Sequence, residues 1–424
     1  MYRITCFVTL CFNCLIIISQ NLIELNPAEI ENLFINNNRE LIIEKMEIDI
    51  ADAQIAEAKI FNNPELNIGD INFWKKNSID EYGNATEYSP QFSIELSQKI
   101  NISSSRKQLI KVEKANKEVI IKEYEKLLSE LKTELNVVIA SILFYQKYET
   151  VLNDYNQYAL SLLDGFKSLK SENEIGLEEY LRIETYQLSI LDEINQVIIQ
   201  KNEFISKLKS MICIGCDYKI KITSPETINY STLIPYNKSE LIAMSLDNNP
   251  DINSSEAYLN YYKKDIAYMS SLAVPDLNVS IKYDRYGGVW KNFYGIGLGI
   301  DLPIYNRNKS GKKIAQIKYN QNSLLKDNIE NIIINEVSSA YDNYVIYNNF
   351  YNSIISRDLY REFNNISTFY MNSLFEGNFT LLEIIDFLDS YKDNYEILFK
   401  TELEMSLLLS KIEYLIGGKI KNNL

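Results

Sequence analysis

Apolar and polar residues along this chain alternate with two different periods, one typical of helices and one typical of strands. From Val112 to Tyr148, apolar residues recur over 36 residues in ten steps, a mean spacing of 3.6 that is the period of an α-helix. This run and a shorter return stripe predict a helical hairpin at 105–211. A second long run, Ile314 to Phe375, and its return stripe predict another hairpin at 310–416.

The two-residue period occurs in four segments of about ten residues each. Leu277, Val279 and Ile281 alternate with polar residues, so one face of that strand is apolar and the other is small or polar. The first segment is less regular, because Gly69 and Asp70 interrupt it. About ten residues is the length that a tilted strand needs to cross a bilayer. The predicted strands are 64–74, 90–100, 275–285 and 293–302.

The order of these segments occurs twice, which predicts a tandem repeat. Asn249–Ile252 resembles Asn38–Leu41, and Pro275–Val279 resembles Pro64–Ile68, both at an offset of 211 residues (249 − 38 and 275 − 64). One register that holds in two separate segments indicates a duplicated unit of a long helical hairpin and two strands. The expected organisation is an export signal at 1–20, a first repeat at 21–232, a second repeat at 233–418 and a polar tail at 419–424.

The first twenty residues have the composition of an export signal. Arg3 supplies a positive charge, Ile4–Ile18 is mostly apolar, and Ser19 and Gln20 form a small or polar cleavage region. The apolar part is too short to span a membrane as a helix. A buried N-terminal helix is the alternative, and it is disfavoured because no amphipathic sequence surrounds this stretch. The cleavage site and any lipid attachment stay open.

Composition removes several classes of function. The chain has 43 Lys and Arg against 57 Asp and Glu, a net charge of −14, whereas a nucleic-acid partner requires a basic surface. It has no histidine, which excludes a Ser-His-Asp triad and the commonest zinc ligand. A secreted enzyme that uses carboxylates has no cluster of residues to support it. We expect no catalytic residue, no metal site and no cofactor.

Cys213 and Cys216 have the spacing of a redox motif. A redox-active site also needs a thioredoxin-like βαβ context, which the sequence around them lacks. The expected alternative is a helix end, with or without a local disulfide between the two thiols.

Four membrane-crossing strands cannot close into a barrel, and an open sheet edge is not tolerated in lipid. The chain must therefore share its barrel with copies of itself. Three copies supply twelve strands, three times four, which is an even number large enough to enclose a lumen. The long helices would then form a matching helical tube.

At this point the sequence resembles the TolC family of outer-membrane efflux proteins over about residues 24–418. The resemblance rests on the tandem repeat, on strand-to-helix passages such as Gly297–Asn306, and on the turns at Gly176 and Gly377. Within the first passage, Leu302–Asn306 resembles the apolar-Pro-apolar-aromatic-Asn stretch of the family. The resemblance implies a mixed α and transmembrane β fold, in which a homotrimer forms a 12-stranded β-barrel in the outer membrane and a periplasmic α-helical barrel.

The implied function is the exit duct of a tripartite efflux pump or type I secretion system, with no reaction catalysed. A periplasmic adaptor protein would dock at the helical tip, and an inner-membrane transporter would be contacted indirectly. The exported substrate is not readable from the sequence. The alternative is a periplasmic coiled-coil structural or adaptor protein that never enters the membrane.

The resemblance also assigns roles at the tip, where each hairpin bends at its glycine. Glu383 and Asp386 are expected around the pore mouth, and Arg182 stands where the family carries an acid. We hypothesise that Arg182 bridges to one of these carboxylates, in its own or a neighbouring protomer, and holds the gate closed. The expected adaptor-docking residues are Gly176, Leu177, Leu181, Gly377, Leu381 and Leu382.

The strand pattern predicts which side chains meet lipid. Apolar residues of the second repeat are expected to face lipid, and their polar neighbours the lumen. Aromatic residues at strand ends suit a girdle at the membrane surface, although ordinary hairpin packing would explain them as well. The expected lipid-facing residues are Val279, Ile281, Ile296 and Leu298, the lumen residues Ser280, Lys282 and Asp301, and the girdle residues Trp74, Tyr283, Trp290 and Phe293.

Overall fold

The computed structural model describes residues 22–74, 78–79, 81–83, 85–86, 90–171, 177–223, 234–286, 290–357 and 380–420. The predicted export signal at 1–20 and the glycines Gly176 and Gly377 lie outside these residues. The chain divides into two compact units, and each draws segments from both predicted repeats. Unit 1 comprises Met1–Ile42, Leu128–Asp247 and Ile334–Leu424, and unit 2 comprises Ile43–Leu127 and Asn248–Ile333.

Long helices account for most of the described chain, and the longest, α3, has 67 residues. Both helices of the hairpin predicted at 105–211 are present, and so are the beginning and end of the hairpin predicted at 310–416. The helices are α1 (Pro27–Asn37), α2 (Arg39–Ala58), α3 (Ser105–Ser171), α4 (Leu177–Met211), α5 (Lys238–Asn248), α6 (Pro250–Ser271), α7 (Lys309–Ile355) and α8 (Leu381–Leu415). Among the residues that the structure describes, no helix combines the length and apolar content needed to cross a membrane.

The two asparagines that mark the sequence offset of 211 residues have the same structural task. The Asn38 side chain accepts a hydrogen bond from the Leu41 backbone N–H at 3.1 Å, at the beginning of α2. The Asn249 side chain accepts one from the Asp251 N–H at 2.9 Å, at the beginning of α6. Asparagine is favoured here because its side-chain oxygen pairs a backbone N–H that the first helical turn leaves free.

Unit 2 contains a four-stranded sheet in the order β2-β5-β7-β8, in which every neighbouring pair is antiparallel. The observed strands end within two residues of the predicted boundaries. A bulge between Gly69 and Asn72 interrupts β2, at the place where its alternation is irregular. The strands are β2 (Glu65–Asn72), β5 (Gln91–Ile100), β7 (Leu277–Asp284) and β8 (Phe293–Ile300).

The prediction of only four strands per chain was incomplete. In unit 1, β1 (Leu22–Leu25) pairs in parallel with β6 (Lys219–Ile222). In unit 2, β3 (Ser78–Ile79) and β4 (Ala85–Thr86) form a small antiparallel pair. These strands have four and two residues, which is too short for a two-residue period to stand out from a loop.

The core of unit 1 lies where α3, α4 and α8 pack together. Its apolar side chains recur at helical spacing on each of the three helices, as expected for helices that each bury one stripe. We call this cluster the tip core, because it includes the beginning of α8 and the first turns of α4. Its members include Leu152, Tyr155, Leu162, Ile183, Ile190, Leu381, Ile384 and Leu388.

Candidate functional site

The strand register gathers apolar side chains from all four strands onto one face of the sheet. Leu66 lies opposite Leu96, Leu96 opposite Ile281, and Ile281 opposite Ile296. The neighbouring row toward the β7–β8 connection is also apolar or aromatic. In the rows toward the other end of the sheet, most positions on this face are apolar. We call this surface the apolar sheet face; its members are Leu66, Ile68, Ile94, Leu96, Ile100, Leu277, Val279, Ile281, Tyr283, Tyr294, Ile296, Leu298 and Ile300.

Many of these side chains are exposed. The exposed fraction is 37% for Ile94, 60% for Ile281 and 80% for Ile296. Exposed apolar surface of this extent marks a region that another molecule or a membrane covers. Val279, Ile281, Ile296 and Leu298 lie together on this face, as the alternation of the sequence predicted.

The opposite face of the sheet carries mostly polar side chains and glycines. Its central row joins Glu95, Lys282 and Gly295, and the Lys282 ammonium lies 3.2 Å from the Asp70 carboxylate. Glycines on β8 leave room for the side chains opposite them, and a Cβ on Gly297 would lie 2.5 Å from the Ser280 hydroxyl. The two faces therefore have different chemistry, one suited to hydrocarbon and the other to water.

Within the described part of the chain, the sheet has two open edges. β2 and β8 are its outermost strands there, and each pairs with a described neighbour on one side only. Backbone N–H and C=O groups along an open edge are available to a strand from another chain. The sheet is therefore able to continue into further copies at both edges.

Aromatic residues gather at the end of the sheet where β2 leads toward β5 and β7 connects to β8. Trp74 follows β2 and Trp290 lies in the β7–β8 connection, with exposed fractions of 74% and 72%. The Tyr283 ring lies 5.0 Å from the Tyr294 ring on the apolar sheet face. Tyr294 itself is a highly exposed member that the predicted girdle omitted.

Phe293 was assigned to this girdle, but the register places it on the polar face. It lies opposite Asp284, and its ring occupies the space beside Gly295, where a Cβ would lie 2.8 Å from the ring. The reason is the two-residue period, because neighbours in a strand point to opposite faces. Phe293 and Tyr294 therefore cannot both lie on the apolar sheet face.

At the helical tip, the predicted docking leucines separate into exposed and buried groups. Leu177, Leu181 and Leu382 are exposed, whereas Leu381 is buried in the tip core. Consecutive residues of a helix lie about 100° apart around its axis, so Leu381 and Leu382 cannot share a face. The assignment of Leu381 to a docking surface is corrected: it stabilises the tip from within.

The predicted gate residues have local partners within the chain. The Arg182 guanidinium lies 3.3 Å from the Glu178 carboxylate, one helical turn earlier. Among the described residues, this is the ion pair that Arg182 forms. Glu383 accepts hydrogen bonds from the backbone N–H and hydroxyl of Thr380 at 2.8 and 2.9 Å. These bonds hold the pKa of the Glu383 carboxyl below its usual value. Asp386 is exposed.

The hypothesis of a bridge from Arg182 to Glu383 or Asp386 within one chain is therefore corrected. Glu178, one helical turn before Arg182, is within reach of its guanidinium, and the first turn of α8 uses Glu383 for its own cap. A bridge from Arg182 to a neighbouring protomer stays a prediction.

A second polar group near the tip was not anticipated. The Lys392 ammonium of α8 lies 2.7 Å from the Glu193 carboxylate of α4, and the Tyr148 hydroxyl of α3 donates to the same carboxylate. Burial and the hydrogen bond to Glu193 raise the pKa of Tyr148 well above its usual value. Burial disfavours the charged form of Lys392, but the nearby carboxylates of Glu193 and Asp389 outweigh this effect and raise the pKa of Lys392. The sequence pattern counted Tyr148 only as an apolar position of its helix.

The two thiols are free in the structure. Cys213 and Cys216 are both exposed and form no disulfide. They follow α4 at its C-terminal end, where Cys213 has a positive φ of 54°. The position agrees with the expected helix end.

Solved structures of bacterial outer membrane channels resemble this chain over nearly its full length. The Campylobacter jejuni CmeC outer membrane channel has a TM-score of 0.72 at 13% identity, over 94% of this chain and 86% of that chain. The chain has the fold of an outer membrane channel. The outer membrane protein VceC from Vibrio cholerae has a TM-score of 0.71 at 10% identity, over 93% and 96% of the two chains. CusC, in a structure described with its transmembrane channel formation, has a TM-score of 0.71 at 15% identity, over 92% of this chain and 91% of that chain.

No protein-family model matches the sequence, and neither does any curated protein. At identities this low, the likeness establishes the fold alone. The TolC-like fold expected from the sequence is thereby confirmed.

Proposed function

We propose that the chain is one protomer of a trimeric exit duct in the outer membrane, part of a tripartite efflux pump or a type I secretion system. The observation that carries the proposal is the apolar sheet face, which is exposed and bordered by two open edges. Lipid would cover the face, and strands of neighbouring protomers would pair with β2 and β8. The channel fold of the chain supports the same assignment.

Three copies would close a barrel of twelve strands, three times the four of the main sheet. Closure would pair every edge N–H and C=O group, as hydrocarbon requires. The polar face would then line the lumen with Lys282, Ser280 and, just after β8, Asp301. Trp74, Trp290 and Tyr294 would lie at one surface of the bilayer, where amphipathic rings are enriched.

The long helices would form the periplasmic part of the duct. The exposed leucines Leu177, Leu181 and Leu382 would contact a periplasmic adaptor protein, and the inner-membrane transporter would be reached through it. Gly176 and Gly377 are expected to take part in the same docking surface. A charged Leu382→Asp variant should then lose export while the trimer and the barrel stay intact.

Threefold symmetry would place Glu383 and Asp386 of each protomer, six carboxylates in total, around one pore mouth. Their mutual repulsion would favour opening, and their field would favour cations. Arg182 would oppose that repulsion from a neighbouring protomer, at the expense of its pair with Glu178. An exposed pair is worth only about 0–1 kcal/mol, so three copies would act together.

Single-channel recordings separate this gate from an ordinary helix charge. Arg182→Glu should raise conductance, and Glu383→Arg in the same chain should restore the closed state. Glu178→Gln is the matched control, because it removes the pair that Arg182 makes within its own helix. If Arg182→Glu behaves like Glu178→Gln, Arg182 has no gating role.

Membrane fractionation tests the duct itself. The protein should separate with the outer membrane, be extracted as a trimer and conduct ions after insertion into a planar bilayer. A stable monomer that remains in the periplasmic fraction would support the alternative, a coiled-coil structural or adaptor protein. That alternative would leave the apolar sheet face in water, which disfavours it.

A further inference from the structure

Unit 2 contains a cavity of about 690 Å³ beside the end of the sheet opposite the aromatic cluster. It lies where α2 ends, where α3 begins and where α6 ends. Its lining combines one guanidinium, two carboxylates and several amide and phenol side chains. The lining includes Glu57, Asn62, Arg106, Glu113, Tyr261 and Leu272.

Arg106 is held in place, and one nitrogen of its guanidinium lacks an acceptor. Its guanidinium carbon lies 3.6 Å from the centre of the Phe61 ring, a stacking contact that fixes the plane of the group. Its Nη1 atom is buried and has no hydrogen-bond partner among the described residues. A buried donor on a charged group is costly when it is left unpaired. The arrangement therefore lacks an anionic or carbonyl partner at this nitrogen.

Two carboxylates in the same cavity have no ion-pair partner among the described residues. Glu57 and Glu113 both line it, and burial together with the charge of Glu57 raises the pKa of Glu113. Neither residue forms an ion pair within the part of the chain that the structure describes. A cationic group between them would relieve the repulsion.

The cavity adjoins apolar surface. Ile60, Ile102 and Leu272, which lie at the three chain segments around it, are exposed apolar side chains. Ile100 and Leu277, at the nearby strand ends, belong to the apolar sheet face. These apolar side chains would offer contacts to an occupant with an apolar tail.

We infer that this cavity binds the phosphoethanolamine headgroup of a phospholipid, with the phosphate at Arg106 and the ammonium between Glu57 and Glu113. A guanidinium pairs well with phosphate oxygens, and the beginning of α3 adds the positive end of a helix dipole beside it. The acyl chains lie on the apolar surface. The inference rests on the proposed function, because it requires the sheet to lie in a bilayer.

Native mass spectrometry of the detergent-extracted trimer measures the bound lipid directly. With equal amounts of phosphatidylethanolamine and phosphatidylglycerol added, the trimer should retain the former, because only that headgroup carries an ammonium. Arg106→Gln should lower the retained phosphatidylethanolamine about tenfold, the effect expected when one charged hydrogen-bonding partner is lost. Lys107→Gln, which removes the same charge from the exposed neighbouring residue, should change nothing.

The carboxylates have their own test. The double variant Glu57→Gln and Glu113→Gln should bind the two lipids about equally, because the ammonium loses its partners. Glu118→Gln, on an exposed position of α3, should keep the preference of the unmodified protein. Equal retention of both lipids by the unmodified protein, or an Arg106→Gln variant that matches Lys107→Gln, would overturn the inference.

Two further outcomes identify other ligands. If soluble glycerophosphoethanolamine occupies the site as fully as the lipid, the headgroup chemistry stands and the lipid source is overturned. If added Mg²⁺ displaces the lipid and remains bound through Glu57 and Glu113, the carboxylates hold a metal and the inference fails.

The same preparations separate this inference from the proposed function. A protein that never reaches the outer membrane contradicts the duct. A protein that inserts and conducts ions but shows no lipid preference contradicts only the headgroup site. The Arg106→Gln variant should insert and conduct normally, since Arg106 is outside the strands and the tip.

Discussion

Apolar side chains of the same types have opposite exposures in two regions of this chain. In the tip core of unit 1, Leu152 and Ile183 are fully buried against neighbouring helices. On the apolar sheet face of unit 2, Ile296 and Leu298 are among the most exposed apolar residues described. Both regions follow a regular hydrophobic period, so the period alone does not tell whether a face is covered.

The difference indicates what each region needs in order to be complete. The tip core buries its apolar stripes within a single chain, because three helices meet there. The sheet is a single layer, and no second layer of the described chain covers its apolar face. Its complement must come from outside the chain, and in the proposed duct lipid would cover the face and other protomers would pair with the edges.

The largest expected effect comes from opening the tip core. Leu152→Ala should lower the free energy of unfolding by about 2–5 kcal/mol, because it leaves a cavity among packed side chains. Gln157→Ala, an exposed change on the same helix, should stay within about 0.5 kcal/mol. Denaturant unfolding of the purified protein measures both. Similar values for the two variants would mean that the tip core is not packed as described.

The next effect distinguishes the two faces of the sheet. Leu298→Arg should destabilise the membrane-inserted protein by about 2–4 kcal/mol, the cost of placing arginine against lipid near the bilayer centre. Ser280→Arg, on the polar face, should cost less than about 1 kcal/mol, because the lumen is hydrated. Unfolding from lipid vesicles compares the two. Equal costs would remove the distinction between a lipid-facing and a lumen-facing side.

A smaller effect concerns the polar group that joins α4 and α8. Lys392→Gln should cost about 1–3 kcal/mol, because it leaves the Glu193 carboxylate without its cation in a mostly buried place. Lys400→Gln is the control on the same helix and should cost only about 0–1 kcal/mol, as expected for an exposed pair. The Lys400 side chain is 59% exposed, against 15% for Lys392.

The pH dependence of the same pair has a definite sign. Because folding raises the pKa of Lys392, its stabilising contribution is complete below the unfolded value of about 10.4. The contribution is lost as pH rises through the higher folded pKa. The unmodified protein should therefore lose more stability than Lys392→Gln in this alkaline range. Parallel losses in both proteins would contradict the role of the pair.

Much of the fold was predictable because its elements are long and strongly periodic. Strands of eight to ten residues were located to within two residues, whereas β1 and β6, with four residues each, were missed. The Lys219–Ile222 alternation was present, but it extends over too few residues to separate it from a loop.

The site residues were less predictable, because their partners depend on three-dimensional packing. The Lys392–Glu193 pair joins residues 199 positions apart on two helices, which no local spacing encodes. Two errors were avoidable: alternation places Phe293 on the polar face, and helical geometry separates Leu381 from Leu382. Arg182 was assigned to a distant partner although Glu178 lies one turn away on the same helix.

The most direct test of the account is the labelling pattern along β7 in outer membranes. In a chain with Cys213→Ser and Cys216→Ser, cysteines are introduced one at a time by Asn278→Cys, Val279→Cys, Ser280→Cys and Ile281→Cys. A membrane-impermeant maleimide should modify positions 278 and 280 readily through the water-filled lumen, and positions 279 and 281 slowly, because lipid covers them. Fast modification at 279 and 281, or equal rates at all four positions, would contradict a lipid-facing apolar sheet face.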